Sequence, residues 1–338
     1  MRYLIIFITT FLFAFEGIKI YNLPNIANEE NTTEINTTEN FTSTIKSIKP
    51  KLNIAVIIDK NRFKKYLPSI INSLNSYLLY KDVEYNLDIY DTTEINDALE
   101  HKNIIYYTFN PNDVYSMQDY NNSFYFPMIN KNEVDINNSN FFFGGMDYSI
   151  QLKKLSSLIE KESVIAINDN TLTSKKLFEL ENKLFMAIPY KYNNINYQDL
   201  NNSYIFINTT PKHTIQILSK IYSNDINPNL ILSTQINYSP LIIALTQNEI
   251  LNKFIVANSI LNLPKELIDI HMLLNSDIKF NYVNYAANIL CNHIYNKVTN
   301  LDSYYMSDFL TYIFDNQINY KTKLYQIVFK AFKEISTP

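Results

Sequence analysis

From Lys51 onward, short apolar runs rich in β-branched residues alternate with longer stretches whose apolar residues recur at helical spacing. No other feature constrains the fold as tightly. Continuous β-branched runs make strands covered on both faces, and strands separated by helices pair in parallel. The runs 53–59, 85–90, 103–109, 124–126 and 141–143 are predicted strands, with Leu67, Ile70, Ile71, Leu74 and Tyr77 marking a helical face after the first. The second half repeats the plan. Helix 151–160 precedes strand 163–167, helix 174–182 precedes strand 184–188, and strand 203–207 leads to a helix carrying Ile217, Leu218, Ile221 and Tyr222. Strands 229–233 and 253–257 follow. Val283, Ala286, Ala287, Leu290, Ile294 and Val298 mark a late amphipathic helix, and 309–314 with 318–328 reads as a hairpin around Asp315-Asn316. So many strands exceed one comfortable sheet. The expected fold is α/β, with two Rossmann-like lobes of mainly parallel sheets flanked by helices.

A chain of 338 residues has room for about two domains with separate cores. The expected division is 51–144 with about 259–305 as lobe I, and 145–258 with about 306–335 as lobe II. A net charge of −4 and a pI near 5.7 give no general attraction to nucleic acid, so none is expected as a partner. The chain has three glycines, Gly17, Gly144 and Gly145. A P-loop, a dinucleotide-binding turn and a G-x-S-x-G elbow each need glycines at fixed spacing, and none can be assembled. His101, His213, His271 and His293 are scattered, without a zinc-enzyme spacing. Cys291 stands alone, and residues two apart on a helix do not face each other, so it cannot pair with His293 as a nucleophile. Cys291 is expected in the core, His293 on the polar flank of its helix, and His213 in a first helical turn at the surface. No catalytic residue, metal or cofactor is expected, and the chain reads as a non-enzyme.

The first 16 residues combine Arg2 with the apolar run 4–14, as in a secretory signal peptide, or an N-terminal membrane anchor if uncleaved. Residues 17–50 carry an Asn/Thr/Glu-rich stretch without apolar periodicity, expected to be a disordered linker. Asn31 and Asn36 head N-x-Thr sequences with Glu29 and Glu34 two residues before them, which makes both candidate glycosylation acceptors. These features predict an exported, periplasmic protein.

The order of elements resembles the type I periplasmic binding proteins of the leucine/isoleucine/valine-receptor kind. Three stretches carry the likeness: Phe141-Phe142-Phe143-Gly144-Gly145-Met146-Asp147-Tyr148 where that family crosses between lobes, 204–234 as its strand–helix–strand unit, and 282–295 as its returning helix. The pattern is also similar to the binding-protein-like domain of penicillin-binding-protein activators. The resemblance implies a cleft between lobes, closing over a small polar ligand, with a membrane permease or a cell-envelope protein as further partner. Ligands of such sheets meet loops at the carboxyl ends of strands. Here those loops offer Asp59, Asn61, Asn110, Asn112, Asp169, Asn208, Thr209, Ser233 and Thr234 as cleft residues. Amino-acid receptors of this family hold the ligand carboxylate with a Gly/Ser loop after the third strand. This chain has Phe109-Asn110-Pro111-Asn112-Asp113 there, which argues against an amino acid and leaves open the alternative of a cell-envelope protein-interaction module with a vestigial cleft, such as a regulator of peptidoglycan synthesis. Gly144 and Gly145 are candidate hinge residues, or a turn needing positive φ, or a place where backbone approaches closely.

Overall fold

The computed structural model describes residues 50–160 and 163–336. The signal segment, the linker, Asn31 and Asn36 lie outside them. Strand β1 (Lys51–Ile58) shows why the first sheet forms: Leu52 and every residue from Ile54 to Ile58 are buried, so the apolar run is covered on both faces. It pairs in parallel with β2 (Glu84–Tyr90) and β3 (Asn103–Tyr107), and β4 (Ser123–Phe126) and β5 (Phe141–Phe143) extend the sheet in the same sense. The second sheet repeats this order. Strand β6 (Val164–Asn168) lies between β7 (Ile188–Lys191) and β8 (Tyr204–Asn208), followed by β9 (Leu230–Ser233) and β10 (Phe254–Asn258), all parallel. In both lobes the chain starts one place in, steps out to the edge and returns past its start. The strand order therefore reverses between β1 and β3 and again between β6 and β8, and these switch points open a crevice at the strands' carboxyl ends. The fold is α/β, two lobes with mainly parallel sheets between layers of helices.

One face of the first sheet is covered by the helices Leu67–Tyr80, Lys265–Leu273 and Tyr282–Val298, which share Leu74, Tyr77, Leu78, Leu267, Ala286 and Leu290 with it in one core. Its other face is closed by Ala98, Val114 and Ile129 from short helices and loops. The second sheet carries Pro211–Ser223 on one face through Ile217, Leu218 and Ile221, and Tyr148–Ser156 with Leu172–Phe185 on the other through Leu152, Leu155 and Leu177.

Three readings of the sequence need correction. Residues 184–188 are not a strand: the helix Leu172–Phe185 runs into them, Met186 ends it in the left-handed region (φ 52), and β7 starts at Ile188. Leu184 and Met186 face solvent, so this apolar run was never a buried one. The late hairpin turns at Asp315-Asn316 as expected, but it is shorter and joins the first lobe. After β11 (Tyr305–Met306), strands β12 (Thr311–Phe314) and β13 (Gln317–Ile318) turn at Asp315 and Asn316, both at positive φ, and β13 joins the first sheet beside β5. Only β14 (Lys323–Val328) and β15 (Ala331–Ile335) join the second sheet, so 306–318 belong with lobe I rather than lobe II. Finally, His293 is buried, not on a polar flank: its ring lies 4.2 Å from that of Phe142 and 5.7 Å from that of Tyr125.

Neither Gly144 nor Gly145 sits at positive φ. Close approach explains both. A Cβ on Gly145 would stand 2.2 Å from the Ile129 carbonyl carbon, and one on Gly144 3.0 Å from Pro127 Cα. The pair is also tied down: Gly145 N–H donates to Ile129 O, Asn130 Nδ2 donates to Gly145 O at 2.8 Å, and Tyr320 O–H donates to Gly144 O at 2.6 Å.

Candidate functional site

The second lobe builds its rim from side chains spent on the backbone. Asp169, at the end of β6, accepts from Thr171 N–H and Oγ1–H through one oxygen and from the Thr210 N–H at 3.0 Å through the other, with His213 Nδ1 3.5 Å away. Burial pushes the Asp169 carboxyl up, but these hydrogen bonds outweigh it and hold the group below its ordinary range. Thr209 shares a hydroxyl bond with Thr214 and Ser233 donates to Ile207 O, while Asn237 Nδ2 ties the two loops by donating to Thr209 O and Ser233 Oγ. Asn208 donates to Asn168 Oδ1 and to Glu181 Oε2, leaving its own Oδ1 without a partner.

In front of this rim lies a cleft of about 570 Å³. Asn208, Thr209, Thr210, Gln235 and Ser239 face it from the second lobe, and Asp277, Phe280, Asn281 and Tyr282 from the first. Four of its lining segments are the starts of helices, at Thr171, Thr210, Ser239 and Asn281, whose backbone donors favour an acceptor or negative charge. Of the second-lobe residues expected in the cleft, Asn208 and Thr209 line it. Asp169, Ser233 and Thr234 are buried behind them, with the Thr234 hydroxyl unpartnered.

The first lobe differs from expectation. Asp59 accepts from the Asn61 and Arg62 N–H groups, and Asn110 accepts from the Asn112 N–H. Asp59 and Asn110 cap their own loops, and neither they nor Asn61 and Asn112 line the two cavities at the crevice. Asp113 accepts from the Thr108 hydroxyl and from Asn110 Nδ2 and lines neither of the two cavities at the crevice. The surface that does face the crevice is apolar, a cavity of about 450 Å³ lined by Phe63, Tyr66, Phe109 and Met128 with Arg62 and Asn284. Phe63 and Phe109 come from the loops after β1 and β3 and stack at 5.6 Å, bridging the switch point. The two cavities share Asn281 and Val283.

Gln235, in the 233–235 loop that the sequence points to, was not among the expected cleft residues, and the 277–281 segment has no periodicity or motif to mark it. Gln235 also connects the cleft to the crossings between lobes. Its N–H donates to Gln151 Oε1, and its Oε1 accepts from Ser259 N–H and Gln151 Nε2. Gln151 Nε2 also donates to Ser259 Oγ, which bonds Thr322 Oγ1 at 2.9 Å. Gln151, Ser259 and Thr322 stand just after the three passages of the chain between lobes, so one buried polar cluster stitches all three. Gln235 Nε2 is left unpartnered at the cleft wall.

Among the described residues no group of three or more His, Cys, Asp or Glu side chains could hold a metal ion, and no helix is long and apolar enough to cross a membrane. The sequence matches no protein-family model and no curated protein. Solved structures do match. A possible leucine/isoleucine/valine-binding protein from Rhodopirellula baltica is 10% identical, with a TM-score of 0.56 over 86% of this chain and 97% of that one. The leucine-binding protein LivK of Thermotoga maritima is 11% identical, with a TM-score of 0.59 over 84% and 98%. Haemophilus influenzae LpoA is 8% identical, with a TM-score of 0.55 over 87% of this chain and 60% of that one. The likeness is one of fold: this chain has the architecture of the type I periplasmic binding proteins.

Proposed function

We propose that this protein is an exported, non-catalytic binding protein that receives a small polar ligand between its lobes. One observation carries the reading: the cleft of about 570 Å³ ends at Gln235 Nε2, a buried donor with no partner, which is wired through Gln151 to the crossings between lobes. A ligand acceptor at that nitrogen satisfies the donor and draws on the cluster that sets the lobes' relation. Asn208 and Thr209 supply further polar contacts, Asp169, Ser233 and Thr234 hold the loops behind them, and Gly144-Gly145 anchors the first crossing. The apolar segment at 4–14 supports export to the periplasm, where delivery to a membrane permease would follow. The test is a thermal-shift screen of metabolites with native mass spectrometry of the purified protein. A ligand that raises the Tm and is lost in Gln235→Leu supports the reading; a protein that shifts with nothing and carries nothing overturns it.

A second reading, a cell-envelope interaction module with a reduced cleft, draws on a different observation. The 277–283 segment reaches the second lobe, where Phe280 lies 5.4 Å from Tyr238, and takes up part of the space a ligand would use. This reading predicts an envelope protein recovered by crosslinking and no metabolite shift.

A further inference from the structure

We infer that the first-lobe cavity selects a small carboxylate with an apolar, ring-sized body, and that Arg62 pairs its charge. This deepens the cleft reading and rests on it. Apart from Arg2, Arg62 is the chain's one arginine; every other cationic side chain of this type is lysine. Its guanidinium makes no ion pair among the described residues, since only its backbone N–H is engaged, by Asp59. The guanidinium lies 5.3 Å from the centre of the Phe109 ring, at the wall of the 450 Å³ cavity. A planar fork of donors with no counter-ion, stacked on an aromatic face, matches a carboxylate laid beside the ring.

The walls define the rest of the ligand. Phe109 is 45% exposed and Tyr66 58% exposed, so aromatic surface stands open in a cavity sized for a one-ring compound. Beside them Asn284 is fully buried. Its Nδ2 donates to Asp277 O at 2.7 Å and to Ser69 Oγ at 3.4 Å, and because a carbonyl can only accept, the amide's orientation is fixed. Asn284 Oδ1 then remains a buried acceptor with no partner, and a hydroxyl or amine on the ligand would supply the missing donor. A sugar would want a mostly polar wall and a multiply charged anion more than one cation; Arg62 is the one cation of this lining, and Phe63, Ile70, Phe109, Met128 and Val283 make much of the rest apolar.

Calorimetric titration of the whole protein with 4-hydroxyphenylacetate, phenylacetate, 4-methylpentanoate and the uncharged 4-hydroxyphenylethanol tests this. At least one acid should bind, with 4-hydroxyphenylacetate tightest and the alcohol tenfold or more weaker than it. Arg62→Gln should weaken the acid by tenfold or more and leave the alcohol unchanged, with Arg62→Lys between. Arg62 is exposed, so the ligand-free Tm of both variants should equal that of the parent. Equal binding of acid and alcohol, or an Arg62→Gln variant that binds the acid normally, overturns the inference. So does failure of all three acids while the metabolite screen finds an uncharged ligand, an outcome that leaves the cleft reading standing. No ligand in either experiment overturns both.

Discussion

Thr210 donates its backbone N–H to Asp169 at 3.0 Å, so the loop after β6 is fastened to the loop after β8 across the point where strand order reverses. The carboxylate does this as an anion, with Thr171 and His213 as additional partners. Asp169→Ala should destabilise the protein by about 2–4 kcal/mol, since it strips several hydrogen bonds from buried groups. Asp169→Asn should cost less and remove the pH dependence. Because the folded carboxyl gives up its proton more readily than usual, this contribution is full above the carboxylate's ordinary value of 3.8 and fades as pH falls through the lower folded value. Urea unfolding at pH 3 and pH 7 separates the two variants. An alanine variant as stable as the parent at pH 7 sinks the assignment.

Glu181 behaves in the opposite sense. Burial beneath the second sheet pushes its carboxyl up to about 8, against the help of the Asn208 amide. The folded protein therefore keeps a proton that the unfolded chain releases from pH 4.5 upward. Stability attributable to this group falls by about 1.4 kcal/mol per pH unit between those two values. Glu181→Gln should match the parent near pH 4 and be increasingly more stable toward pH 8, a gap read from urea midpoints. Parallel pH profiles would show that Glu181 is ionised in the folded state.

His293 sets an acid limit. Burial, and then the Lys297 charge, bring the imidazole down to about 3, and its Nδ1 has no partner. The unfolded chain takes up a proton below pH 6.5 that the folded protein refuses until about 3, so stability drops across that window. His293→Leu should flatten this limb and leave neutral-pH stability equal or higher. A variant that keeps the parent's acid slope would contradict it.

Gln151→Leu should cost about 2–4 kcal/mol, because Ser259 and Gln235 lose partners in a site closed to water. The loss should appear in thermal unfolding. Double substitution with Thr322→Val should be less than additive, as expected within one network. Full additivity would mean the crossings are held independently.

Cys291 is buried and its thiol is pushed up to about 12. A maleimide reagent at pH 7.5 should leave it untouched in the native protein and label it on unfolding, at a rate that follows opening of the first lobe. Rapid labelling of the folded protein would refute the burial.

Strands such as β1, β3, β6, β8 and β10 were legible because burial on both faces leaves an uninterrupted apolar run, and no other local structure produces one so short. Helix Tyr282–Val298 was legible in extent and misjudged in its faces. His293, expected on a polar flank, is buried, and so are Asn284, Asn288, Asn292 and Asn296, which recur every fourth residue, with Asn288 Nδ2 bonded to Ser73 Oγ at 2.8 Å. Periodicity treats asparagine as wet, whereas packing against Leu67–Tyr80 supplies it with partners. The cleft residues were harder. Polar side chains at Asp59, Asn61, Asn110 and Asn112 mark the right loops, but Asp59 and Asn110 serve their own backbone, and the neighbouring Arg62, Phe63 and Phe109 face the cavity instead. The signal for Arg62 was present in its rarity.

The threading of the chain has a consequence for synthesis. The first lobe's core needs Tyr285, Leu290 and Ile313, and the second needs Leu324 and Ile327. Both lobes therefore wait for the last part of the polypeptide before either can close. A ribosome that stops short of β12 releases a chain with no finished half, and neither lobe can be made alone by cutting the gene at one point.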